Sequence, residues 1–222
     1  MKNGDLTVVF NTESVWHFFN NKEYRDYVYA CKNVAIDGVG LKLALRLRGL
    51  SVNRFHGPDL CQKLMTNKLS HERSVLVVGG HSRNEELVSR HKIEGHFPLP
   101  FVSKISDFET CLHDLLVFIK RYNGRKFILV SLGLPKQELF CQWLNKAILA
   151  DASMAHQEVV LIPVGAAVDF LSGHRIRSGR FWQKIGLEWL PRLFREPRML
   201  SRVLRSIAAM FWIILDRRKV KL

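Results

Sequence analysis

Four short apolar runs punctuate the chain: Leu6 to Phe10, Ser74 to Gly80, Lys126 to Gly133 and Glu158 to Ala166. Each is too short for a core helix and is bounded by polar or glycine residues, so each predicts a buried strand. Three of the four run into glycine. Between them, apolar positions recur every three or four residues. This spacing predicts helices over Thr12 to Ala30, Gly40 to Arg48, Asp59 to Lys68, Asn84 to His91, Asp107 to Tyr122 and Lys136 to Ala150, several opening on Asp, Asn or Thr caps. Strands that alternate with helices imply an α/β fold, a Rossmann-like three-layer core around a largely parallel sheet.

The pattern changes near Gly173, where acidic residues thin out. Residues 173–222 hold 13 Lys+Arg against 3 Asp+Glu, +10 of the chain's formal +14. Arg alternates there with Trp, Leu, Ile and Phe at helical spacing, which describes a basic amphipathic helical appendage whose one face suits lipid and whose other face suits phosphate. The expected organisation is therefore a catalytic core over 1–172 and a membrane-docking appendage over 173–222 that completes the active site. A basic balance also suits nucleic acid. Phe211 to Leu215, however, form one continuous apolar patch, unlike the singly spaced aromatics of RNA-reading surfaces, and lipid is the preferred partner. The longest apolar run, Ile207 to Leu215, has nine residues, about half of what a spanning helix needs. Met1 to Asp5 is polar and opens no signal peptide. Cys31, Cys61, Cys111 and Cys141 stand thirty or more residues apart with no CxxC pair, which reads as reduced thiols in a cytosolic protein and gives no metal-ligand spacing.

In an open α/β sheet, ligands gather at the carboxyl ends of the strands. Four loops stand out on that criterion: Ile36 to Gly40, Arg54 to Leu60, Leu132 to Glu138 and Val164 to Gly173. Asp37 precedes Gly38 and Gly40, so its carboxylate sits where the backbone can turn and a substrate can approach; capping of the next helix is the competing structural role. Lys136, Gln137 and Glu138 open a helix after a glycine-ended strand, where helix-start N–H groups and an ammonium suit an anion; an ordinary surface helix start would look the same. Neither GxGxxG nor GxxxxGK[ST] is present. No DxD occurs either, so charge on a departing diphosphate would fall to Arg and Lys.

Taken in order, Asn11, the DGVG of Asp37 to Gly40, RFHGPDL (Arg54 to Leu60), the VVGG strand end, GLPKQE, GAAVDFLSG and GLEWLPRLFREPR (Gly186 to Arg198) resemble the WecG/TagA/CpsF glycosyltransferases, glycosyltransferase family 26. The resemblance implies an inverting, metal-independent hexosyltransferase with no cofactor. Such an enzyme moves N-acetylmannosamine, its uronic acid or a related hexose from a UDP-sugar to a polyprenyl-diphosphate-linked sugar. It would work on the cytoplasmic face of the bacterial plasma membrane, in surface polysaccharide or cell-wall polymer biosynthesis. It further implies association of copies through the core and no nucleic-acid partner. Residue by residue, it assigns Asp37 as the general base and Lys136, Gln137 and Glu138 to the donor nucleotide. Arg192, Arg198 and Arg202 fall on the leaving diphosphate, and Asn11, Gly38, Arg54, Gly57 and Asp59 on acceptor contact or loop support. Asp169, in the GAAVDF match, is as well explained by helix capping. His56 and the pair Arg54 and Asp59 are better explained structurally.

The chain departs from the pattern in places. Val9 stands where many relatives carry threonine, Arg177, Ser178 and Gly179 stand where RAP is common, and Pro191 stands where an aromatic is frequent. The matched strand lies almost at the first residue, whereas relatives often carry another strand and helix before it. The competing functional classes are a non-catalytic membrane scaffold of a polysaccharide assembly complex, and a basic nucleic-acid-binding protein.

Overall fold

The computed structural model describes residues 6–53, 57–66, 73–90, 93–102, 104–154, 156–176, 178–179, 182 and 189–215, without the side chains of residues 82, 192, 195 and 198. In chain order the elements are β1 (Thr7–Phe10), α1 (Thr12–Asn20), α2 (Lys22–Ala30), β2 (Asn33–Ile36), α3 (Val39–Leu47), α4 (Gly57–Thr66), β3 (Arg73–Gly79), α5 (Glu85–Ser89) and β4 (Gly95–Phe97). Then follow α6 (Glu109–Lys120), β5 (Arg125–Ser131), α7 (Lys136–Ala150), β6 (Val159–Pro163), α8 (Ala167–Leu171), α9 (Trp189–Arg195) and α10 (Leu200–Leu215).

The chain divides into two compact units. One comprises Met1–Val8, Glu23–Val34 and Gly57–Ile176; the other comprises Val9–Lys22, Ala35–His56 and Arg177–Leu222. In the first, a four-stranded sheet has the order β4-β3-β5-β6, every pairing parallel, with Leu76 opposite Ile128 and Ile128 opposite Leu161. Val75, Val77, Leu129, Val160 and Ile162 pack with Cys61 and Met65 of α4, Leu87 of α5 and Val168 of α8. Their neighbours Leu76, Val78, Ile128, Val130 and Leu161 point to the other face and are buried as well. A parallel sheet covered on both faces explains why these strands read as unbroken apolar runs, and the α/β expectation holds.

The long helix expected over Thr12 to Ala30 is two. Asn21 is extended (φ −129°, ψ 114°) and its N–H bonds the His17 carbonyl. Asn20 turns its own amide back on the Trp16 carbonyl at 2.8 Å, and short amide side chains that compete in this way end helices. Three elements went unread: β2 has four residues, β4 three and α8 five. β1 and β2 pair as a two-stranded ladder.

In the second unit α10 packs on α1 and α3. Val203 and Ala209 are buried, and Leu200, Leu204, Ile207, Phe211 and Leu215 form an exposed stripe three or four residues apart, the amphipathic appendage expected from the tail. Among the described residues no helix is long and apolar enough to cross a membrane.

Candidate functional site

In the sheet unit, β4 and β5 lie on opposite sides of β3, so the loops after β3 and β5 diverge and leave a crevice at the carboxyl ends of the strands. Glycine lets the backbone line it. Gly79 and Gly80 both have positive φ, and a Cβ on Gly80 would lie 2.4 Å from Asn84 Nδ2 and 2.9 Å from Ser131 Oγ. Gln137, buried at the start of α7, joins the next two loops: its Oε1 accepts from the Gly165 N–H at 2.8 Å, and its Nε2 donates to Glu138 Oε1 at 2.8 Å. Ser131 Oγ donates to the Gly165 carbonyl at 2.7 Å. Asp169 accepts from the His81 N–H at 3.4 Å and pairs with Arg175 at 3.5 Å, while the rings of His81 and His174 stack 3.5 Å apart. The segment after β4 crosses the end of β3, bringing Leu99 near Gly79 and the Val102 carbonyl onto the Lys136 ammonium, which also lies 5.7 Å from the ring centre of the exposed Phe101. The rim is thus cationic and aromatic, and the floor is a set of hydrogen bonds among Ser131, Gln137, Glu138 and the Gly165 backbone, beside the Asp169–Arg175 ion pair.

The second unit gathers charge. Asn11 caps α1 with its Oδ1, which accepts from the Ser14 N–H at 2.9 Å. The Asp37 N–H bonds the Phe10 carbonyl at 2.7 Å, which sets the ends of β1 and β2 side by side. Asp37 Oδ1 takes the N–H of Gly38, a glycine at φ +84°, at 2.6 Å, and the carboxylate is half-buried. A Cβ on Gly38 would touch Asn11 at 3.9 Å. In the first turn of α1, Glu13 is buried and accepts from Arg202 Nε at 2.8 Å and Arg205 Nη2 at 2.9 Å. Arg205 also lies over the Trp16 ring, 5.4 Å from its centre. Burial holds the nearby His17 imidazole below its ordinary value; Glu13 opposes that shift, while Arg205 and Arg202 add to it.

A family model described as the glycosyl transferase WecG/TagA/CpsF family matches residues 1–222, the whole chain. The chain belongs to the WecG/TagA/CpsF glycosyltransferase family. It is therefore a glycosyltransferase, in a family of polysaccharide and cell-envelope biosynthesis.

For a glycosyltransferase, the distribution of the expected site residues is informative. Asn11, Gly38, Asp37 and Arg202 fall in one compact unit, and Lys136, Gln137, Glu138, Gly57 and Asp59 in the other. Lys136 sits at the crevice rim with a carbonyl and a ring as neighbours, whereas Gln137 and Glu138 are buried and bonded to each other. Gly57 is the first residue of α4 and Asp59 is exposed in its first turn. Arg54 and His56 lie outside the described residues, as do the side chains of Arg192 and Arg198. Glu13 and Arg205 were missed by the sequence reading: the partners are 189 and 192 residues apart, and nothing local marks them. None of the four cysteines forms a disulfide, and burial raises every thiol, Cys31 and Cys61 to about 12, so these sulfurs stay protonated and unreactive. Among the described residues no group of three or more His, Cys, Asp or Glu is placed to hold a metal ion.

Proposed function

We propose that the protein transfers a hexose, with inversion and without a metal ion, from a UDP-sugar to a polyprenyl-diphosphate-linked sugar. Asp37 acts as general base: it takes the proton of the acceptor hydroxyl as that oxygen attacks the anomeric carbon. The bond from that carbon to the diphosphate oxygen breaks, and UDP departs with the electron pair. Arg192, Arg198 and Arg202 meet the charge that builds on the leaving group, and Lys136 at the crevice rim contributes to donor binding. Gln137 and Glu138 serve the donor indirectly, by fixing the loop that leads to Gly165.

The observation that best supports this reading is the position of Asp37. It stands at the end of β2 with one carboxylate oxygen oriented by the Gly38 N–H and with Asn11 beside the turn, in the same compact unit as Arg202. An oriented, half-buried carboxylate next to a glycine turn is what a base needs if a bulky acceptor is to reach it. The exposed apolar stripe of α10, with basic residues on the same helix, suits a membrane surface, where a polyprenyl acceptor resides.

The test is a donor screen with full-length protein, a short-chain polyprenyl-diphosphate sugar as acceptor and EDTA present, run beside Asp37→Asn. The wild type is expected to turn over one UDP-sugar, and Asp37→Asn to lose between about a hundred- and ten-thousand-fold in turnover while keeping its circular dichroism. Turnover that survives in Asp37→Asn would remove the base from this carboxylate, and turnover abolished by EDTA would remove metal independence.

A further inference from the structure

The second unit contains a buried carboxylate that the mechanism above does not use. Glu13 is 4% exposed, yet it lies beside two guanidiniums carried by a helix nearly two hundred residues later. Nε and Nη2 of Arg202 both point at Oε2, each at 2.8 Å, and Nη2 of Arg205 points at Oε1 at 2.9 Å. Arg202 thus gives one edge of its fork to Glu13, while its Nη1 end has no partner among the described residues. Its side chain is 44% exposed. Arg205 takes the other oxygen and rests on Trp16, so the carboxylate is held from two sides and cannot swing away with Arg202.

We propose that Glu13 is a positioning residue that aims the Nη1 end of Arg202 at the leaving diphosphate. The proposal rests on the reading of Arg202 as a diphosphate ligand given above. A guanidinium fixed along one edge presents the other with little rotamer entropy left to lose, and its planar fork then meets a phosphate in one geometry. The cluster keeps one net positive charge after Glu13 is counted, enough to attract an anion without leaving two unpaired cations against an apolar helix face.

Charge and position predict opposite signs, which makes the proposal testable. Glu13→Gln raises the local charge by one. If Glu13 acted only through its charge, UDP would bind more tightly. If it aims Arg202, UDP binds more weakly despite the added positive charge. Calorimetry with UDP and EDTA on the full chain is expected to give about ten-fold weaker binding for Glu13→Gln, the loss of roughly one charge-assisted contact. Glu13→Asp keeps the charge but shortens the reach, and should fall between. In an Arg202→Gln background, Glu13→Gln should cost nothing further, whereas loss of fold would add to the effect of Arg202→Gln. Thermal melts of each variant report folding separately.

Weaker binding in Arg202→Gln together with unchanged or tighter binding in Glu13→Gln would overturn the positioning role and leave the reading of Arg202 intact. Binding by the wild type that Arg202→Gln does not alter would overturn both. So would the absence of UDP binding by the wild type.

Discussion

The two units solve one problem, holding buried polar groups in place, by different means. In the sheet unit the loop at Gly165 is held by neutral and backbone groups: Gln137 bridges to Gly165, Ser131 bonds the Gly165 carbonyl, and glycines at positive φ let main chain replace side chain. In the unit formed with the tail, one carboxylate holds two arginines across the length of the sequence. Neutral bonds of this kind are insensitive to pH and salt and fix loops that leave adjacent strands. Charged bonds can join distant segments, and they respond to solution conditions. The rigid half therefore suits a floor that stays constant, and the charged half suits a surface whose state depends on what meets it.

The largest effect expected from breaking this contrast is at Gly80. Alanine there would put its Cβ 2.4 Å from Asn84 Nδ2 at a φ of +80°, so steric and backbone strain add. Gly80→Ala should lose about 3 kcal/mol in urea unfolding. Gly133→Ala is the control: it lies in the loop just after the neighbouring strand β5, and its Cβ would meet nothing within 4 Å. It should stay within about 0.5 kcal/mol of wild type. Equal losses at the two glycines would mean that close packing over β3 is not what the floor depends on.

Next in size is Gln137→Ala, which strands the half-buried Gly165 N–H and removes a bond to the buried Glu138. The expected cost is about 2 kcal/mol, unchanged between low and high salt because no ion pair is broken. A strong salt dependence would show that charged groups, not the neutral bonds of Gln137 and Ser131, hold the Gly165 loop.

How far these two regions were legible in the sequence follows from the same contrast. The strands β3, β5 and β6 announce themselves because a sheet covered on both faces needs unbroken apolar runs. The loops after them announce themselves because turns at Gly79, Gly80 and Gly165 need glycine. Asp37 could be picked out because Gly38 and Gly40 follow it. Gln137 and Glu138 were found for their position at a helix start, but their buried geometry was not foreseen, since a polar pair at such a start looks the same whether it faces in or out. Glu13 was not found at all. Beside an N-cap asparagine it reads as an ordinary first-turn acid, favoured there by the helix dipole, and only the fold of α10 onto α1 gives it its partners. The break at Asn21 hid for a related reason: the apolar period continues across it, and the interruption is made by hydrogen bonds that a periodicity does not register.

The smallest effect is also the one that separates the two regions most cleanly, because it titrates. His17 lies one turn beyond Glu13, and burial holds its folded-state value below the ordinary 6.5. The neutral imidazole is therefore favoured in the folded chain. As pH falls below about 6.5 the unfolded chain takes up a proton that the folded chain resists, so the contribution is present above 6.5 and is lost as pH falls through the folded value. Melting temperature followed from neutral to mildly acid pH should decline more steeply in the wild type than in His17→Gln, while Gln137→Ala should shift the curve without changing its slope. Among the described neighbours Glu13 raises the His17 value and Arg205 and Arg202 lower it, so imidazole titration by NMR should move down in Glu13→Gln and up in Arg205→Gln. Movement in the same direction for both variants would mean that the charged cluster does not tune this histidine beyond the effect of burial, and the electrostatic contrast between the two units would then rest on Glu13 and its two arginines alone.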